Sequence, residues 1–443
     1  MSHAILSRAP ARRERCANAT DSAQCHQHFA TFLLLRVRSS AVVACADHDA
    51  TVASLAMSPT PTASAYIIAA RRSALGRVGG LHRSRRLEEL TAPVIAAVLA
   101  DARLASDSVD EIVIGNASAG GNPARIIALA AGLPETAPAL TIDRQCGSGL
   151  DAILTAIRTV TAGDAEVILA GGAESLSTAP WRIAKPRSLY QMPHFIGIDA
   201  HAETASEEPL AYEASEALAR RFRIGRTEQD AFALKSHLKA ESARQSRRFV
   251  GEIVAIRANA EEARDQSAIG PSLEDIEREQ PFLQPDGTLT PANTSLPHDG
   301  AAIVVVVSER VWQELGRPRA LRLLAGAAQG VAPESEADAP IAAMQRLYAR
   351  LNGFDRTAVG VVEMSEASAA QALALMRSLA IKEDVLNPDG GAIVRGHPLG
   401  ASGAVLVVRL FSRLARNGAG AGYGIATQGA IGGLGLAALF EAV

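Results

Sequence analysis

Cysteine is scarce in this sequence. There are four in 443 residues: Cys16, Cys25 and Cys45 crowd near the N-terminus and Cys146 stands alone in the rest. That excludes a disulfide framework for the main body and makes a reducing compartment, the cytoplasm, the expectation. Aromatic residues are only 4% of the chain, while glycine reaches 36. The core therefore has to be built from aliphatic and small side chains at close backbone approach. Neither sign of charge dominates, with a net charge of -3 and a pI of about 6.4. No basic field is available for nucleic acid or for an acidic membrane surface. What is abundant points to a folded protein: 48% hydrophobic and 21% charged residues exclude wholesale disorder. The length suits two or three domains, or one that is duplicated.

Residues 1–56 differ from the rest of the chain, being arginine- and serine-containing, low in acids at first and without periodicity. The apolar run Phe32-Leu33-Leu34-Leu35 is cut off by Arg36 and Arg38, so it is neither a signal-peptide core nor a membrane span, which needs about 20 apolar residues. Only Lys185, Lys235, Lys239 and Lys382 are lysine among 44 basic residues, a skew typical of GC-rich coding sequence. Met57 is expected to be the real start, with 1–56 an over-extended reading frame or a disordered tail; a mitochondrial transit peptide is the alternative. Cys16, Cys25, His26 and His28 lack a Cys-x-x-Cys pair, so no metal site is expected there.

From Ala65 the chain alternates short apolar runs with helical periodicity. Tyr66 to Ala70 reads as a strand, Leu87 to Leu104 as a helix, and Val109 to Ile114 as a second strand. A helix from about Ala124 to Ala131 is stopped by Gly132 and Pro134, and Leu140 to Ile142 is a third strand. Leu150, Ile153, Leu154, Ile157 and Val160 mark one helical face, and Glu166 to Ala170 is a buried strand ending at Gly171-Gly172. This alternation predicts a layered α/β fold. The second half repeats the order. Val359 to Glu363 answers Val109 to Ile114, and the segment around His397 leads into a helix over Ala401 to Ala415 as Cys146 leads into its own. Tyr423 to Thr427 and Gly435 to Phe440 match Glu166 to Ala170 and Ala301 to Val307. The polar stretch from about Trp181 to Leu296, with a charged helix over Glu228 to Arg244, interrupts the first half, because Ala301 to Val307 is needed as its last strand. An insertion of that length is usually a lid or a substrate-binding subdomain.

Cys146 lies in Asp143-Arg144-Gln145-Cys146-Gly147-Ser148-Gly149-Leu150, between a strand and a buried helix. The unpaired N–H groups and positive end of that helix would favour a thiolate, whereas a small buried cysteine needs no chemistry at all. At the equivalent point of the second half, Gly396-His397-Pro398-Leu399-Gly400 offers an imidazole. If the halves pack about a pseudo-twofold axis the two loops face each other, and a thiol beside an imidazole is the arrangement for covalent acyl transfer.

These residues resemble the thiolase family over nearly all of Met57 to Val443. The resemblance rests on Cys146-Gly147-Ser148-Gly149-Leu150, Ala170-Gly171-Gly172-Ala173-Glu174-Ser175, Asn122-Pro123-Ala124-Arg125 and Gly396-His397-Pro398-Leu399-Gly400-Ala401-Ser402-Gly403, in thiolase order. It implies a duplicated αβαβα fold with an inserted loop domain: a first half at 57–316 containing a loop domain at about 181–294, and a second half at 317–443. It implies acyl-Cys chemistry on coenzyme A thioesters, with no permanently bound cofactor or metal and with acyl-CoA as substrate. The partners implied are the CoA thioester and further copies of the chain, as a homodimer or homotetramer, with no nucleic acid and no membrane. Carried over residue by residue, Cys146 is the acyl-accepting nucleophile and His397 activates it and helps form an oxyanion hole. Ile431 and Cys146 supply the backbone N–H groups of a second oxyanion hole, Ser365 and Glu366 support the site, and Ser295 lies near the pantetheine.

The sequence also departs from that pattern. Thiolases carry a second cysteine near the C-terminus that exchanges a proton with the substrate α-carbon; here Thr427-Gln428-Gly429-Ala430-Ile431-Gly432-Gly433 has Gly429 at that position, and no cysteine follows Cys146. The Asn-Glu-Ala-Phe motif reads Ser365-Glu366-Ala367-Ser368, the His-Met pair of the substrate loop reads Leu210-Ala211, and Arg395 replaces an apolar residue. Acyl-enzyme formation needs none of the lost groups. Claisen condensation without decarboxylation does need a base, and its loss commonly costs about 10²–10⁴-fold. The expectation is a thiolase-like acyltransferase with an altered proton-transfer step. The alternatives are a decarboxylative, ketosynthase-like condensation, plain acyl transfer, or a non-catalytic partner subunit.

Overall fold

Aliphatic runs bounded by glycine and proline become strands, and the amphipathic segments between them become the covering helices. The computed structural model describes residues 64–443 apart from 187, 197–208, 258–261, 263, 268–269, 284 and 419–421, so the expectations for 1–56 lie outside the described residues. The first half runs β1 (Ala65–Ser73), α1 (Leu87–Ala102), β2 (Glu111–Gly115), α2 (Pro123–Ala130), β3 (Ala139–Ile142), α3 (Ser148–Ala162) and β4 (Val167–Glu174). The insertion follows, with α4 (Pro209–Phe222) and α5 (Arg226–Gln245), and the half is completed by β5 (His298–Ser308). The second half runs β6 (Leu321–Gly330), α6 (Ala339–Arg350), β7 (Val359–Met364), α7 (Ala369–Leu379), α8 (Ala392–Arg395), α9 (Leu399–Phe411), β8 (Tyr423–Ala430) and β9 (Leu434–Ala442).

The strand order β7-β8-β9-β6-β1-β5-β4-β2-β3 makes the internal repeat visible. In the first half β2 and β4 are parallel, and β5 pairs antiparallel with β4 and β1. In the second half β7 and β8 are parallel, and β9 pairs antiparallel with β8 and β6. The two half-sheets meet at a narrow seam, where β1 pairs with β6 through Tyr66↔Arg322 and Ile67↔Leu321. As expected from the repeat, β5 closes the first half on the far side of the insertion.

Strand alternation sorts the core into layers. Ala302, Val304 and Val306 of β5 pack with Leu150, Ile153 and Ile157 of α3 and with Val405 and Leu406 of α9. Ile303, Val305 and Val307 point the other way, onto Leu90, Val94 and Ile95 of α1. On the second half, Met344 and Leu347 of α6 and Leu375 of α7 cover the outer face. Helices α3 and α9 thus form a middle layer between two half-sheets, each covered outside by further helices, which gives αβαβα. All thirteen residues of α9 are buried, as a helix enclosed on every side requires. Each fully buried Leu, Ile or Val contributes roughly 1.5–3 kcal/mol, and the small residues of α3 and α9 let their backbones approach. This layer accounts for a composition poor in aromatics and rich in glycine.

One strand boundary differs from expectation. β4 does not stop at Gly171-Gly172 but continues to Glu174, with Gly171 opposite Ile303 and Gly172 opposite Ala302. The glycines are there because a Cβ at Gly171 would strike the Ala302 carbonyl oxygen; they mark close backbone approach within a strand, not a turn. The insertion is held to the core by buried ion pairs: Arg72 reaches Glu252 at 2.7 Å and Asp265 at 2.6 Å, and Arg409 binds Glu252 and Asp389. Removing one partner of such a pair leaves an uncompensated buried charge and costs about 3–5 kcal/mol. Among the described residues no helix is long and apolar enough to cross a membrane.

Candidate active site

The turn before α3 presents Cys146. Gln145 holds φ at 49°, a left-handed conformation rare for a residue with a side chain. The turn is closed by the Gly147 N–H donating to Arg144 O at 3.0 Å and by the Ser148 hydroxyl, which accepts from Arg144 N at 2.7 Å and donates to Gln145 O at 2.6 Å. Cys146 is thereby set at the N-terminal end of a 15-residue helix, where backbone N–H groups lack intrahelical acceptors. The residue is 5% exposed and packs in a small cluster with Ala117, Leu399 and Ala430, bordered by Leu176, Ile431 and Leu434. The side-chain amide of Gln428 donates to the Cys146 carbonyl oxygen.

The pseudo-twofold partner of that turn lies between α8 and α9 and presents His397. Its N–H donates to Leu296 O at 2.9 Å, and its carbonyl accepts from His298 N at 3.1 Å, so the segment before β5 runs alongside it as a short parallel bridge. The ring Nδ1 meets Ser402 Oγ at 2.7 Å. Burial, reinforced by the neighbouring His298, pushes the imidazole pKa down to about 4. The ring is therefore neutral at physiological pH, with one nitrogen unprotonated, and burial disfavours the charge that proton uptake would create. His298 is itself buried, and burial lowers its pKa. Its Nδ1 faces Leu296 O at 2.8 Å, which fixes the proton on that nitrogen and leaves Nε2 to accept from Ser267 Oγ at 2.8 Å.

The two turns are packed tightly against each other. A Cβ at Gly149 would lie 2.7 Å from Gly400 O and 2.9 Å from Ala404 N. Only glycine lets the first turn of α3 approach the first turn of α9 so closely. Leu399, two residues beyond His397, accordingly shares the Cys146 cluster.

The sequence-derived residues fall into three groups. Cys146 and Ile431 share a cluster, as does Ala430, the last residue of β8. Ser365 lies on the His397 side: a cavity of about 10 Å³ beside that loop is lined by Ser365, Arg395, Gly396, Pro398 and Ser402. Ser295 joins this side through its backbone, donating to Ala367 O at 3.1 Å. Glu366 stands apart. Its carboxylate accepts from Asn387 Nδ2 at 2.7 Å, Ser236 Oγ at 3.0 Å and Ile393 N at 3.2 Å, so it ties the Ser365 loop to α5 and α8; burial raises its pKa against these bonds. Arg395 is 3% exposed and points to Glu363, 3.3 Å away. Ala211 is exposed in the first turn of α4, and the Leu210 side chain lies outside the described residues.

The fold brings three further residues to these turns: Gln428 on the Cys146 carbonyl, Ser402 on the imidazole, and Glu174, whose carboxylate reaches Gly400 N at 2.9 Å. Nothing in spacing could have paired them with their targets. The one available signal was Glu174 and Gln428 as polar residues within otherwise small and apolar strand segments.

A duplicated αβαβα chain with a buried thiol at one helix start and a buried imidazole at the equivalent turn of the other half defines the structural class. Residues 65–310 match the family Thiolase, N-terminal domain, and residues 318–442 match Thiolase, C-terminal domain. The chain belongs to the thiolase family. It is 37% identical over 380 residues to the Staphylococcus epidermidis protein named "Putative acetyl-CoA C-acetyltransferase VraB", covering 85% of this chain and 97% of that one. It is 35% identical over 404 residues to a β-ketoadipyl-CoA thiolase of Pseudomonas putida, covering 84% and 98%. The crystal structure of the Bacillus anthracis acetyl-CoA acetyltransferase superposes with a TM-score of 0.80 at 30% identity, over 86% of this chain and 99% of that one.

Proposed function

We propose that the protein is an acyltransferase that takes an acyl group from a coenzyme A thioester onto Cys146 and passes it to an acceptor, with proton transfer at the α-carbon altered relative to other thiolases. The observation that carries this reading is the pair of facing helix starts, one bearing a buried thiol and the other an imidazole kept neutral by burial. In the first step His397 takes the thiol proton, the sulfur attacks the thioester carbonyl, and the tetrahedral intermediate expels the CoA thiolate. The backbone N–H groups of Cys146 and Ile431 stabilise the developing oxyanion, a role that survives any side chain at 431. Ser365 and Ser295 border the other side of the acyl group, and Glu366 supports the loop that carries Ser365.

Gly429 stands where related enzymes carry their second cysteine. Gln428 and Thr427 do not replace it as a base: the Gln428 amide is on the Cys146 carbonyl and the Thr427 hydroxyl donates to Leu436 O at 2.9 Å. Acyl capture is unaffected by this loss, whereas the carbon–carbon step loses its base. That favours a second reading, in which decarboxylation of a malonyl-type thioester generates the enolate. The enzyme works in the cytoplasm as a homodimer or homotetramer, with halves at 57–316 and 317–443 and a loop domain at about 181–294.

The test is intact-protein mass after incubation with a panel of acyl-CoAs. An acyl increment on Cys146, absent in Cys146→Ala, is expected; no increment with any of them would sink the reading. Carbon dioxide release from malonyl-CoA separates the decarboxylative route. Undiminished activity of a co-purifying thiolase complex after Cys146→Ala would point instead to a non-catalytic partner subunit.

A further inference from the structure

Glu174 is the last residue of β4, and its side chain is fully buried. Its two carboxylate oxygens meet donors only. Oε1 accepts from Asn116 Nδ2 at 2.9 Å and from the Ser118 hydroxyl; Oε2 accepts from Ala117 N at 3.0 Å and Gly400 N at 2.9 Å. Burial on balance raises the pKa of this carboxyl, and the hydrogen bonds from Ser118, Gly400 and Ala117 act against it. The donors come from two separate places: 116–118 follow β2 of the first half, and Gly400 is in the first turn of α9 of the second.

The location matters because of what these donors carry. Ala117 and Leu399, the residue before Gly400, are two of the three side chains clustered with Cys146. Gly400 is also the residue against which Gly149 packs, and three residues before it stands His397. Asn116 is held in turn, donating to Ala173 O at 2.9 Å and accepting from Ala119 N at 2.9 Å, so the first-half side of the clamp is rigid. One carboxylate therefore joins the wall behind Cys146 to the turn that bears His397.

We propose that Glu174 is a positioning residue for acyl transfer: its buried carboxylate holds the His397 turn against the first half and so sets where the imidazole stands relative to the Cys146 thiol. The proposal rests on the reading of Cys146 and His397 as the reacting pair. A misplacement of about 1 Å can cost roughly 10²-fold in rate, without requiring any change in how the CoA moiety is bound.

The experiment compares wild type, Glu174→Gln, Glu174→Asp and Ser118→Ala in two rate measurements, with thermal melting followed alongside. The first is single-turnover acylation of Cys146 against acyl-CoA concentration. The second is alkylation of Cys146 by iodoacetamide, which needs no acyl-CoA and so tests Glu174 even if the wild type proves not to be acylated. Glu174→Gln is expected to slow acylation about ten- to a hundredfold at saturation and to slow alkylation as well, with half-saturation unchanged within about twofold. Glu174→Asp keeps the carboxyl group but withdraws it by one methylene and is expected to fall between the two. Ser118→Ala leaves the bond to Gly400 in place and is expected within about threefold of wild type. Should Glu174→Gln fail to fold, Glu174→Asp decides alone. The proposal is overturned if the folded Glu174 variants react at the wild-type rate while melting lower, if half-saturation rather than the maximal rate changes, or if Ser118→Ala is as slow as Glu174→Gln.

Discussion

Placing a thiol at position 429, where we propose that the second base has been lost, is the sharpest perturbation of the proton-transfer step. Gly429 pairs with Gly435 between β8 and β9, and its φ is not among the positive values that favour glycine. A Cβ built there would meet Gln371 Nε2 and Pro340 Cδ and Cγ at 3.4 Å, which is ordinary contact. Gly429→Cys should therefore fold, with a stability change below about 1 kcal/mol, since no backbone atom has to move. If the missing base is what limits carbon–carbon chemistry, its return should raise α-proton exchange and condensation by about 10²–10⁴-fold, equivalent to about 3–5 kcal/mol of barrier. The assay is loss of methyl protons from acetyl-CoA in deuterated water, followed by NMR on wild type and variant at equal acyl-Cys146 occupancy. Peptide mapping shows whether the new cysteine is itself acylated. The reasoning is refuted if the wild type already exchanges briskly, or if folded Gly429→Cys carries acyl-Cys146 and exchanges no faster.

The packing and the burial of the site lead to two further outcomes. Gly149→Ala places a methyl 2.7 Å from Gly400 O and 2.9 Å from Ala404 N, both backbone atoms; it should destabilise by about 1–3 kcal/mol or more and slow Cys146 acylation, and wild-type melting and rate together would show that the two turns are not in contact. The pKa of His397 falls from its ordinary 6.5 in the unfolded chain to about 4 in the fold. The unfolded state therefore binds a proton that the native state does not, and stability conferred above pH 6.5 is lost as the pH falls towards 4, by up to about 3 kcal/mol. Urea titrations from pH 7 to pH 4 should show a shallower acid loss for His397→Asn than for wild type; equal slopes would mean that the imidazole is not held neutral.

Much of the scaffold is legible in the sequence because period decides it. The apolar face of α3 at Leu150, Ile153, Leu154, Ile157 and Val160 reads directly as a helix, and the repeat of strand order places β5 beyond the insertion. Cys146 and His397 are legible for the same reason, as equivalent points of a duplicated unit. Glycine is where the reading fails, since Gly171 and Gly172 look like a turn yet lie inside β4, Gly171 against the backbone of β5 and Gly172 against the first turn of α9. A glycine that frees the chain to turn and one that makes room for another strand look identical in one dimension. The partners of the two turns were hidden for a related reason. Glu174 meets Gly400 and Gln428 meets Cys146 across more than two hundred residues of chain, through single hydrogen bonds that no local pattern encodes.

The central claim is that one acyl group is captured by Cys146 with release of one CoA. Mixing a high concentration of enzyme with excess acyl-CoA in a stopped-flow instrument, with a thiol reagent reporting free CoA, tests it directly. A rapid burst of one CoA per chain, with the acyl group recovered on the Cys146 peptide and both signals abolished by Cys146→Ala, is the predicted result. A burst that survives Cys146→Ala, or the absence of any burst with acyl donors of every chain length tried, would contradict it.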